Sequence, residues 1–115
     1  LSGETVRAKA NTANQSPINA KRFHKRSNEI AQLMKAFGHP ARLMLAVTLF
    51  QKEHSVGELE AKLDLHQPSL SQQLGVLRLA GIVETRRESK QIFYRLTNDK
   101  AAMLIEALDG IYAKK

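Results

Sequence analysis

In the stretch HQPSLSQQLGVLRLAG, residues 66–81, the side chains able to do recognition chemistry are Gln67, Ser69, Ser71, Gln72 and Gln73. They are short, uncharged and able to donate or accept hydrogen bonds, at positions where a surface helix ordinarily carries Lys and Glu. A Gln amide can pair with N6 and N7 of an adenine, and a Ser hydroxyl can serve either way, so the set suits contact with base edges. Ser69, Ser71 and Gln72 are assigned to bases on this reading, Gln67 and Gln73 to bases or phosphates. A cluster of another kind follows in Arg86, Arg87, Lys90 and Gln91, with Arg78 ahead of it. Cationic groups there can follow a phosphate backbone or enter a narrow, A·T-rich minor groove.

Nothing in the chain has the look of a catalytic constellation. There is no Gly-rich phosphate loop, and His24, His39, His54 and His66 are scattered without paired metal-ligand spacing. His39, just before Pro40, reads as a turn residue. The absence of cysteine removes disulfides, thiolate metal sites and thiol redox chemistry. No enzyme, metal or cofactor is expected. The 18 Lys and Arg against 11 Asp and Glu leave a net charge of +7, which suits a polyanionic partner. Six basic residues and one acidic lie in 1–26, one and three in 55–67, and five and two in 68–95, so positive charge brackets an acidic segment.

The elements that must carry these groups follow from periodicity. The 115 residues allow a single domain with one modest core. Residues 1–26 lack a sustained apolar face and read as a flexible basic tail, with room for a short helix. The chain opens on Leu rather than Met, so a processed or truncated start is expected. With no long apolar run and no signal-like start, a cytoplasmic location off the membrane is expected. Ile30, Leu33, Met34 and Phe37 form one stripe of a helix over 27–37. Pro40 opens a second helix that is apolar nearly all round. Ser55 and Glu58 make an S-x-x-E capping box for a third, ending near Asp64.

Pro68 and Gly81 delimit a fourth helix with Leu70, Leu74 and Leu77 inward. IVETRR and QIFYRL then read as a β-hairpin. A fifth helix, capped by Thr97 or Asn98, carries Leu104, Ile105, Leu108, Ile111 and Tyr112 in its stripe. The expected fold is mainly α, a winged helix-turn-helix of five helices plus a two-stranded wing, spanning 27–113. A major groove about 12 Å wide admits the fourth helix, whose leucines turn Gln72 and its serines outward. Such a face can equally be plain solvated surface, and a basic hairpin can simply protect a sheet edge. Together they favour double-stranded DNA, with a winged-helix protein-interaction module as the alternative. The stripes of the first and last helices predict a two-fold homodimer through Ile30, Leu33, Met34, Phe37, Leu104, Ile105, Leu108, Ile111 and Tyr112.

FGHPARLMLAVTL and SVGELEAKLDLHQPSLSQQLGVLRLAGIVETRRESKQIFYRL, with the closing apolar helix, resemble the ArsR/SmtB family of bacterial winged-helix regulators. Within it they look most like the biofilm growth-associated and haemolysin-regulator subgroup. The resemblance spans residues 27–112 and implies a homodimer that binds an inverted-repeat operator, as a repressor, through its first and last helices. It also implies sensing positions that are altered in this chain. Ser55 stands where metal-sensing relatives have Cys, and Asn98, Lys100 and the Gly110 to Ile111 region stand where others place metal ligands. Val47 and Ala113 replace the paired cysteines of sulfide sensors. A lost sensor, an unidentified small-molecule effector or substituted cysteines all remain open.

Overall fold

A computed structural model describes residues 17–113. Its elements run α1 Ala20–Lys25, α2 Ser27–Ala36, α3 Pro40–Gln51, β1 His54–Ser55, α4 Val56–Leu63, α5 Ser69–Leu79, β2 Val83–Glu88, β3 Gln91–Leu96 and α6 Asp99–Tyr112. Residues 1–16 of the expected tail lie outside the described residues; α1 occupies the later part of that stretch. No helix among the described residues is long and apolar enough to cross a membrane.

Local signals start and stop most helices. His39 is the N-cap of α3, its Nδ1 accepting from the Ala41 N–H at 3.1 Å, with Pro40 behind it where no N–H is needed. At α4 the capping box closes both ways: the Glu58 N–H donates to Ser55 Oγ at 3.2 Å and the Ser55 N–H to Glu58 Oε1 at 2.8 Å. Those bonds, led by the one from the Ser55 backbone, hold the Glu58 carboxyl below its ordinary value. Pro68 is the N-cap of α5 and not its first helical residue, so the helix begins at Ser69. Gly81, at φ +74, takes the left-handed turn out of it.

The wing is larger than the expected hairpin. β3 lies at the centre of a three-stranded antiparallel sheet, paired with β2 on one side and with His54 and Ser55 of β1 on the other. A two-residue strand between two helices leaves no readable alternation, so periodicity could not reveal it. Ser89 and Lys90 form the turn, with Ser89 at φ +57.

One core joins α3, α5, α4 and the base of the wing: Leu45, Ala46, Leu49, Leu59, Leu70, Leu74, Leu77, Ile82 and Val83 are all buried. Two residues expected at a dimer interface belong to it instead. Phe37, 9% exposed, and Ile105, 5% exposed, close the core of the single chain, because each sits on the inward side of its helix. Ile30, Leu33, Leu104 and Leu108 are half-buried, while Met34, Ile111 and Tyr112 stand exposed. The side chain of Lys100 on α6 bonds Glu29 of α2, tying the two terminal helices within one chain. Replacing Ser55 by Ala should lower the unfolding free energy by about 1 kcal/mol, read as a lower urea midpoint, with Ser55→Thr closer to the parent.

Candidate nucleic-acid interface

Burial of Leu70, Leu74 and Leu77 fixes which side of α5 faces outward. At about 100° per residue, Ser69, Gln72, Val76 and Leu79 fall within one arc on the opposite side. All four are exposed, as are Ser71 and Gln67, and the Ser71 hydroxyl donates to Gln67 Oε1. That bond pre-orients the amide of Gln67 ahead of the helix. Arg78 is exposed in the last turn, where its charge also complements the carbonyl end of the helix.

Gln73 is a correction. It is 8% exposed, and its Oε1 accepts from Arg42 Nη1 at 2.8 Å. The same guanidinium donates through Nε to the Ala36 carbonyl at 2.8 Å and through Nη2 to the Lys35 carbonyl at 3.1 Å. Gln73 therefore points inward and secures α5 to the end of α2, leaving no free amide for a base or phosphate. Sequence reasoning passed over Arg42, although a signal was present: it is the sole charged residue between Pro40 and Gln51, and a guanidinium in so apolar a helix needs partners. Leu79, 92% exposed at the end of the outward arc, was missed as well.

The wing separates its cations. Arg86 pairs across the sheet with Phe93, and its guanidinium lies 4.6 Å from the centre of that ring. It reaches over β3 to donate to both Glu53 oxygens at 2.8 Å, and to Glu88 Oε1 at 2.7 Å. Those hydrogen bonds, first from Glu53 and then from Glu88, raise its pKa still further above the ordinary value. The expectation that Arg86 meets DNA is thus corrected: two carboxylates already occupy its donors. Arg87, on the other face of β2, and Lys90 in the turn are exposed, and neither has an ion-pair partner among the described residues. Gln91 is exposed beside them. The available set is therefore Ser69, Gln72, Gln67 and Ser71 on the helix, with Arg78, Arg87, Lys90 and Gln91 around it.

Residues 39–85 match the family model of the bacterial regulatory proteins, arsR family. Over 90 residues, 78% of this chain and 77% of its counterpart, the sequence is 71% identical to the biofilm growth-associated repressor of Agrobacterium fabrum. The chain belongs to the arsR family. A more distant arsR relative, the transcriptional activator HlyU of Vibrio cholerae, is 38% identical over 98 residues, 85% of this chain and 91% of that one. Among solved structures, the transcriptional repressor BigR from Xylella fastidiosa is similar with a TM-score of 0.81 at 56% identity, covering 85% of this chain and all of that one. The arsR membership makes this a winged-helix DNA-binding transcriptional regulator and not an enzyme.

The positions that the arsR resemblance ties to sensing have other occupations here. Ser55 caps α4. Asn98 caps α6, accepting from the Ala101 N–H at 2.9 Å, and also donates to the Gly81 carbonyl at 3.2 Å. Val47 lines an apolar cleft between α3 and α6 with Leu43, Phe50, Leu108 and Tyr112.

The Glu53 clamp generates a pH prediction. Hydrogen bonds from Arg86 hold the Glu53 carboxyl below its ordinary value of 4.5; partial desolvation opposes this, and the charges of Arg86 and Arg95 add to the lowering. A folded-state pKa below the unfolded one gives stability that is present above 4.5 and lost as pH falls through the depressed value. Glu53→Gln should therefore unfold at a lower temperature than the parent at pH 7. That gap should close on acidification below 4.5, as followed by thermal melts over a pH series.

Proposed function

We propose that the chain acts as a homodimer that represses transcription by binding an inverted-repeat operator in double-stranded DNA. The observation that carries the reading is the outward arc of α5. Uncharged Ser69 and Gln72 stand free to solvent on a helix whose other side is locked into the core, beside a wing with free Arg87 and Lys90. Gln72, assisted by Ser69, Ser71 and Gln67, reads base edges in the major groove. Arg78, Arg87, Lys90 and Gln91 hold the phosphate backbone or the adjoining minor groove. Repression is favoured because the relative at 71% identity is named a repressor, whereas the activator is the more distant protein.

Dimerisation is supported by the apolar groups that α2 and α6 leave outside the core. Met34, Met103, Ile111 and Tyr112, the last 78% exposed, flank the half-buried Ile30, Leu33, Leu104 and Leu108. An exposed apolar surface of this extent calls for a cover, and a second copy supplies one while presenting two α5 helices to successive major grooves. The inducer is neither a metal-thiolate nor a dithiol signal, since the chain has no cysteine.

Two measurements test this. In gel shifts against the DNA upstream of its own gene, Gln72→Ala should relax preference at one base step by about 1 to 3 kcal/mol, while Arg87→Ala should weaken all duplexes and flatten the salt dependence. Parent-like binding by both variants would remove the assigned interface. In sedimentation, Ile111→Glu should shift the protein from dimer to monomer and cost operator affinity; an unchanged dimer would put the interface elsewhere.

A further inference from the structure

The geometry points to α1 as a second DNA-contacting element, laying Lys21, Arg22 and Lys25 on the phosphate backbone beside the groove that α5 enters. The inference rests on the DNA-binding reading above and extends it to a part of the chain outside the winged helix.

The helix is difficult to account for by packing. It has six residues and buries none of them, whereas an isolated helix in water needs roughly 12 to 15 residues to be even marginally stable. Its visible supports are local: the Asn19 side chain accepts from the Arg22 N–H at 3.1 Å, and the Arg26 N–H donates to the Arg22 carbonyl at 3.1 Å. Its charge works against it. Lys21 faces Lys25 and Arg22 faces Arg26 at i, i+4 spacing, two repulsive pairs, and the stretch from 20 to 26 contains no carboxylate. Cations in the last turn complement the helix dipole, but Lys21 lies in the first turn, where the dipole disfavours it. Among the described residues Lys21, Arg22 and Lys25 make no ion pair, while Arg26 has Glu29. A polyanion would relieve both repulsions at once.

Placement gives the polyanion its identity. Asn28, Gln32 and Lys35, an i, i+4, i+7 row on α2, line a cleft with Val76, Leu79 and Ala80 of the α5 segment. Val76 and Leu79 belong to the same outward arc as Gln72, so this edge of α2 borders the face proposed to read bases. The N-terminal half of α2, from Asn28 to Leu33, lies by Ala80 and Asn98, at the C-terminal end of α5. α1 joins α2 there, across the single residue Arg26, and continues the edge past the end of the reading helix. Phosphates flanking that groove are the anions within its reach.

The test uses the whole chain with Lys21, Arg22 and Lys25 replaced together by Ala, and a Lys21→Arg, Lys25→Arg variant that keeps the charge. Fluorescence anisotropy on operator and unrelated duplexes is followed over a salt series. The neutral variant should show a log K against log salt slope shallower by about 1 to 3 on both DNAs, with the operator preference retained. The charge-keeping variant should match the parent. Since no α1 side chain is buried, melting temperatures should not move. An unchanged slope in the neutral variant overturns the inference. So does sedimentation of the parent with anionic phospholipid vesicles through these cations at an unchanged DNA slope, which assigns α1 to a membrane surface. A parent without operator preference would remove the proposed function, while a shallower slope would still support α1 as the phosphate contact.

Discussion

The structure depends on the burial of Leu70, Leu74 and Leu77 in the core shared with Leu45, Ala46 and Leu49 of α3. Each leucine so buried contributes about 1.5 to 3 kcal/mol of transfer free energy, enough to decide how the helix is turned about its axis. That rotation decides everything displayed on the other side: Gln72 faces out because the leucines face in. The same core takes in Leu59 of α4 and Ile82 and Val83 at the root of the wing, so helix and wing share one foundation.

Apolar burial alone fixes orientation loosely, and two guanidinium groups refine it. Arg42 takes the carbonyls of Lys35 and Ala36 and the amide of Gln73, satisfying at once the end of one helix and the middle of another. Arg86 lies across the sheet from β2 to Glu53, over the ring of Phe93. Both are partly withdrawn from water, where hydrogen bonds to a charged donor are stronger than those between neutral groups. Each trades the role of ligand-binding cation for that of an internal fastener.

What could be read in advance divides along sequence distance. Signals contained within a turn or two were legible: the Ser55 and Glu58 box, Pro40 at the start of α3, Gly81 at the exit from α5, and the leucine stripe between. Pairings across 31 residues, Arg42 with Gln73, and across 33, Arg86 with Glu53, left no periodic mark. Gln73 and Arg86 therefore looked like free recognition groups until their partners were placed. Phe37 and Ile105 illustrate another limit, since a stripe says that a residue is covered but not whether its own chain or another covers it. The candidate reading face of α5 was legible apart from Gln73; the wing was legible as a hairpin but not as a sheet.

Arg42 also has a mechanical meaning. It rivets the end of α2, which in the proposed dimer sits at the dyad, to α5, which sits in the groove, so the two move as one stiff lever. A shift of α2 against its mate would swing each reading helix without altering the hydrogen-bonding groups it displays. Control exerted at the dyad would then act as a change of gauge: the span between the two helices would cease to fit the half-sites, although each helix still matched its own.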